Sequence, residues 1–213
     1  AGTPTLTVSS TYNAQEKTYS LTVRQSCLET PGQTNKLPFH MPFSIGLLAP
    51  QVRPGSDDAK MSLQMLEEMQ LTLRLKGQEN NHSGVLELTQ EEHTFVFVDI
   101  DAEPVPSLNR GFSAPVKVVF DCTQDQLAHL MLYDTDPVAR WDASQALFSL
   151  KVAEVARCFS RGEHVERSDF FPDLLHVLLE HMPLEVNESN LLAQLLTPAS
   201  LSLIYQRYPD CDV

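Results

Sequence analysis

His176, Glu180 and His181 come closest to a metal-binding set in this chain of 213 residues. A helix offers two histidines to one ion in the H-E-x-x-H or H-x-x-E-H patterns. Here the histidines are five residues apart, about 140° around a helix, so they diverge, and His176 with Glu180 reads as an exposed pair. Ser113 is a candidate nucleophile in G-F-S-A-P, but it lacks the G-x-S-x-G elbow, and Pro115 forbids a helix directly after it. A serine on the rim of a sandwich is the expectation. Glu91-Glu92-His93 offers an acid and a base, yet neighbours in a turn are ordinarily solvated. Asp99, Asp101 and Glu103 alternate as calcium ligands do, without the glycine and glutamate that an EF-hand loop needs at its sixth and twelfth positions. Arg140 beside Trp141 suggests an ion pair buried between domains, a structural role. No set of nucleophile, base and oxyanion donor emerges, so no catalytic and no metal-binding residue is assigned.

The thiols and the charge narrow the classes further. Cys27, Cys122, Cys158 and Cys211 are scattered without a C-x-x-C pair, which excludes a zinc ribbon or dithiol motif; two disulfides are arithmetically possible. In a chain able to build its own core, such thiols point to a reducing compartment, hence the cytoplasm. The net charge of −13 comes from 9 basic against 14 acidic residues up to Asp121 and 6 against 14 beyond it. Nucleic acid and acidic membrane surfaces are therefore excluded as partners. No apolar run approaches the roughly 20 residues that span a bilayer.

The elements that must position these residues divide the chain at Pro104–Phe120. Before that stretch the pattern is short strands: Thr5–Ser10, Thr18–Gln25, Phe43–Leu48, Leu71–Lys76, Val85–Leu88 and Thr94–Asp99, with a polar Asn13–Lys17 connection making the first two a hairpin. Pro104 and Pro106 remove two backbone donors, so they predict an extended connector rather than a helix or a central strand. Ala114–Phe120 places Val116, Val118 and Phe120 on one face, a seventh strand. Seven short strands predict an immunoglobulin-like sandwich over residues 1–121. An insert, 49–69, carries Met61, Met65 and Met69 at helical spacing, a surface helix over a sheet edge. Residues 80–84 form a further turn.

Helices follow over residues 122–213. Thr123-Gln124-Asp125-Gln126 is a capping box, and Asp136-Pro137 starts a second helix that runs to about Ser160 with Gly162 as its stop. A third helix lies between Ser168 and Pro183 and a fourth over about Glu188–Leu196. A fifth opens at Thr197-Pro198 and reaches about Arg207. Short connections make them antiparallel, like the first turns of a solenoid. The fold class is thus two domains, an all-β immunoglobulin-like sandwich and an all-α antiparallel, solenoid-like segment.

Two runs carry a resemblance. One holds Pro104, Pro106, Ser107, Leu108, Phe112, Ser113, Ala114, Pro115 and Val116; the other holds Arg140, Trp141, Asp142, Ala143 and Gln145. In this order and spacing they resemble the aminopeptidase N family of zinc metallopeptidases, in its proteobacterial, plant and apicomplexan branch. Tyr12-Asn13, Tyr19–Thr22, Thr30–Gln33 and Pro38–Phe43 extend the similarity over nearly the whole chain. The family holds its zinc with H-E-x-x-H and a later Glu, and recognises the substrate amino terminus with G-x-M-E-N; neither motif occurs here. The resemblance therefore implies a non-catalytic C-terminal segment, with zinc belonging to the parent enzyme. Its implied partners are the missing catalytic domain, the remaining helical domain and, for the parent, peptides. A start at Ala1 and an end at Val213 suit such a fragment. The competing expectation is a stand-alone sandwich and helical interaction module that docks through the methionine-bearing insert.

Overall fold

Alternation in two neighbouring strands builds the first sheet. In β1 (Thr5–Asn13) and β2 (Thr18–Ser26) the antiparallel register sets Leu6 opposite Gln25, Val8 opposite Val23, Ser10 opposite Leu21 and Tyr12 opposite Tyr19. Every inward side chain of one strand thus meets an inward side chain of the other, and a slip of one residue would expose them all. The hairpin turns on Asn13, whose Oδ1 accepts from the amides of Gln15 and Glu16 at 3.0 and 3.2 Å. The computed structural model describes residues 2–50, 70–77, 84–164, 168–181 and 186–209. The methionine-bearing insert and most of the 80–84 turn lie outside them. Among the described residues the chain divides into two compact units, the first with seven strands and the second with five helices.

The other strands are β3 (Met41–Leu48), β4 (Val85–Leu88), β5 (Glu92–Phe97), β6 (Val105–Leu108) and β7 (Lys117–Val119). They complete a four-stranded sheet, β5-β2-β1-β7, and a three-stranded sheet, β4-β3-β6, with β1 and β7 parallel. The core lies between them: Leu6, Leu21 and Phe97 from one sheet meet Phe43, Ile45 and Leu86 from the other. Gln25 is the inward residue at the end of β2. Its Nε2 donates to Phe39 O and Gln90 O, and its Oε1 accepts from Phe39 N–H at 2.8 Å.

Four sequence-based expectations need correction in this unit. Val105–Leu108 is not a mere connector but a strand, with Pro106 opposite Leu47. It lies at a sheet edge, where a residue without an N–H is tolerated. Leu71–Lys76 is not a strand of either sheet. It crosses from one sheet to the other, bridging Gln70 to Leu48 and Leu75 to Phe97. Its alternation reports burial instead, since Leu71, Leu73 and Leu75 all pack against the core. Glu92 and His93 belong to β5 rather than a turn, and His93 stacks on Phe95 with ring centroids 4.4 Å apart. The strand expected over Ala114–Phe120 is hydrogen-bonded only over β7, although Val116, Val118 and Phe120 face the core as the alternation requires.

In the second unit the helices are α1 (Gln124–Tyr133), α2 (Pro137–Ser160), α3 (Phe170–His181), α4 (Val186–Leu195) and α5 (Leu201–Arg207). Thr123 and Gln126 close the capping box reciprocally at 3.2 and 2.9 Å. Asp136 Oδ1 accepts from Val138 and Ala139 amides, with Pro137 at the first position of α2. That helix ends in a Schellman motif: Gly162 (φ 68°) donates to Phe159 O and Glu163 to Cys158 O. α1 and α4 pack on α2, as does α5, and Phe148 stacks on Phe171 between α2 and α3. α5 begins later than Thr197-Pro198 suggests. Ser200 is its cap, and the Thr197 hydroxyl instead donates to Ala193 O at the end of α4. No helix of the described residues is long and apolar enough to cross a membrane.

Two outcomes follow from the sandwich core. Burial pushes the Tyr19 phenol up to about 12, from its ordinary 10. Above about pH 10 the unfolded chain releases this proton while the folded chain holds it, so stability should fall by up to about 1.4 kcal/mol per pH unit between those values. Urea unfolding across that range should show this extra slope in the wild type and lose it in Tyr19→Phe. Gly84 (φ 65°) receives the Ile45 amide at 2.7 Å, and a Cβ there would stand 2.7 Å from Ile45 O. Gly84→Ala should cost about 2 kcal/mol or more, measured by the same unfolding curves.

Candidate functional site

The structure gives nearly every residue of the two runs, Pro104–Val116 and Arg140–Gln145, a local task. In the first run the chain reverses between β6 and β7 through Asn109, which adopts the left-handed conformation (φ 54°, ψ 41°) that asparagine tolerates. Its side-chain amide then serves three partners. Oδ1 accepts from Ser113 Oγ at 3.1 Å and Ala114 N at 3.0 Å, and Nδ2 donates to Ala114 O at 3.1 Å. Ser113 Oγ in turn accepts from the Ser44 amide of β3 at 2.8 Å, pinning the reversal to the sheet. Ala114 is buried, and Val116 N–H returns to its carbonyl across Pro115, whose fixed φ suits so tight a turn. Pro104, Pro106 and Ser107 are buried and Leu108 packs on the core. Arg110 lies over Gly46, where a Cβ would come within 2.7 Å of its Nη1. The Phe112 side chain is turned to solvent, 63% exposed.

The second run occupies the first two turns of α2, and its side chains fan out to the rest of the helical unit. Arg140 Nε donates to Met131 O at 2.8 Å, which places a cation at the carbonyl end of α1, where the helix dipole favours it. Asp142 accepts from Arg207 Nη2 at 2.7 Å, so α2 is tied to the end of α5. Ala143 is buried, which allows close approach. Gln145, only 4% exposed, donates from Nε2 to Thr197 O at 3.0 Å in the link between α4 and α5. Ser144 and Ser149 are also buried and return their hydroxyls to the carbonyls of Trp141 and Gln145, both at 2.7 Å. Trp141 itself is half-buried.

The residues that the sequence offered for chemistry are placed otherwise. Asp99 pairs with Arg74 at 3.1 Å and Asp101 with Lys17 at 2.6 Å, so two carboxylates of the supposed calcium run each have their own cation. His176 and Glu180 are exposed and 3.3 Å apart. The side chain of His181 lies outside the described residues. Among those residues no three His, Cys, Asp or Glu side chains stand close enough to hold a metal. Ser113 has no base beside it in its hydrogen bonds, which go to Asn109 and Ser44. The residues that sequence reasoning missed are Asn109 and Gln25. Asparagine before Arg-Gly, after an extended run, is a left-handed turn signal; an inward glutamine in an apolar alternation is a second such signal.

Comparison with known proteins agrees with this scaffold. A family model described as a domain of unknown function with an Ig-like fold, DUF3458, matches residues 2–121, and its companion, described as ARM repeats, matches residues 124–213. The chain is 32% identical to aminopeptidase N of Haemophilus influenzae over 92% of its own length and 20% of that relative's. It is 36% identical to aminopeptidase N of Escherichia coli over 70% of its length and 15% of the relative's. The crystal structure of Legionella pneumophila aminopeptidase A in complex with aspartic acid superposes with a TM-score of 0.65 at 26% identity, covering 97% of this chain and 20% of that one. The chain thus spans about a fifth of the length of the relatives it matches. The chain belongs to the DUF3458 family, an Ig-like domain followed by ARM repeats, and is a segment of an aminopeptidase N-like protein.

Proposed function

We propose that this chain is a non-catalytic segment of a zinc-dependent aminopeptidase, which removes single residues from the amino termini of peptides. The observation that carries the proposal is coverage: nearly all of this chain is similar to a fifth of each longer peptidase, and both signature runs serve as scaffold here. The residues at hand do not fit a zinc site. No described cluster could hold the ion, and H-E-x-x-H is missing from the sequence, so the metal and the chemistry belong to another part of the parent.

The segment's task in this reading is support by two domains, residues 1–121 and 122–213. The sandwich packs on the catalytic domain, and the helices open the remaining helical domain. The exposure of Leu175 and Leu179 on α3 and of Leu201 and Tyr205 on α5, each pair four residues apart, supports a further helical layer, since a repeat buries its face on the next. Thiols at Cys27 and Cys158 favour a cytoplasmic setting.

The test compares this chain with the complete product of its gene, using aminoacyl p-nitroanilides. The complete product should release nitroaniline, and 1,10-phenanthroline should abolish the release. The 213-residue chain should show none, even with added zinc. Turnover by the chain that survives repurification and disappears on chelation would overturn the proposal.

A further inference from the structure

Phe112 is held where no phenylalanine rests comfortably. Its φ is 53°, following Gly111 at 61° and Asn109 at 54°. Glycine and asparagine enter this left-handed region readily, but for a bulky side chain the Cβ crowds the following carbonyl. Burial does not repay that strain, because the ring is 63% exposed. The backbone is nonetheless fixed from both sides. Phe112 N–H donates to Asn109 O at 3.1 Å, Ser113 N–H to Arg110 O at 3.2 Å, and the Asn109 amide and Ser44 amide lock Ser113 and Ala114 in place. A glycine would satisfy every one of these bonds without strain, so nothing inside the unit calls for an aromatic here.

A strained residue that the surroundings over-determine marks a position used by something else. We infer that Phe112 is a preorganised anchor that inserts into an apolar pocket on the catalytic domain, an inference that rests on the reading of this chain as a peptidase segment. A rigid aromatic on a fixed loop loses little entropy on docking, which is what an interface anchor needs. The occupant is a protein surface rather than a membrane or nucleic acid, given the net charge of −13. Further helical repeats would stack on α3 and α5, which leaves the sandwich loop to the part of the parent that precedes it.

Hydroxyl-radical footprinting of unmodified protein tests this directly. Phe112 should be oxidised readily in the 213-residue chain and at least ten-fold more slowly in the complete gene product, whereas exposed Lys17 and Arg24 peptides serve to normalise the dose. Equal rates in a complete product that still hydrolyses peptides overturn the anchor and leave the peptidase reading standing. Protection in a complete product without peptidase activity keeps the anchor and removes the peptidase reading. The variant Phe112→Gly adds a test of sign. It relieves the backbone, so the folding equilibrium of the 213-residue chain should be unchanged or shift up to about five-fold toward the folded state. In the complete product the same change should speed limited proteolysis within the sandwich by five-fold or more. A chain destabilised by Phe112→Gly would show that the ring serves the sandwich itself, and the inference would fall.

Discussion

Backbone amides and carbonyls left without partners where strands and helices end must be satisfied, and this chain depends on single polar side chains to do it. Burying such a group unpaired costs about 1–3 kcal/mol, a large share of the stability of any small domain. Gln25 satisfies two segments that flank the sandwich core, Phe39 and Gln90. Asn109 satisfies the reversal after β6, and Gln145 the carbonyl of Thr197 between α4 and α5. The helix ends follow the same rule, with Thr123, Asp136 and Ser200 as caps and Arg140 at the close of α1. In each case an apolar residue of equal size would fill the space and leave the backbone unsatisfied.

The same constraint accounts for the specific polar residues of the two runs. A catalytic motif and a scaffold motif both demand a specific polar residue at a specific spacing. What separates them is where the polar atoms point. Asn109, Ser113, Ser144 and Gln145 spend their hydrogen bonds on backbone groups of their own unit and, for Ser113 with Asn109, on each other. A nucleophile or base would instead keep a lone pair or proton directed at a cleft. Asp142 offers the same lesson for charge: its carboxylate is occupied by Arg207, which fixes α5 against α2.

What was legible in the sequence was local. Thr123 with Gln126, and Asp136 with Pro137, predict helix starts from two or three neighbouring residues, and the structure places those starts where they predict them. The hairpin of β1 and β2 is equally local, because alternation and a short polar turn suffice to set its register. Expectations failed where a distant partner decides. Leu71–Lys76 alternates like a strand, yet its partners are Leu48 and Phe97 on different sheets, so it crosses instead of pairing along its length. Thr197 looks like a cap, but the end of α4 claims its hydroxyl first. Pro106 argues against a strand until the strand is known to be an edge. The Asn109 reversal has a local signal, asparagine before Arg-Gly, but its tie to the sheet through Ser113 and Ser44 joins residues far apart in sequence.

Strain sharpens the difference between residues a fold needs and residues it merely carries. Lys17 and Asp99 also take positive φ, at 50° and 63°, but both sit at reversals where their charges pair, with Asp101 and Arg74. For long or short polar side chains at exposed turns the left-handed conformation is a modest cost. Phe112 has neither a paired charge nor burial to set against it, and its neighbours Asn109 and Gly111 already supply the bend. A fold under selection for stability alone would replace it with glycine, because most stabilising changes of this kind are readily available. That an aromatic stands there in a run otherwise devoted to holding the backbone puts its use outside the hydrogen-bonded loop that carries it.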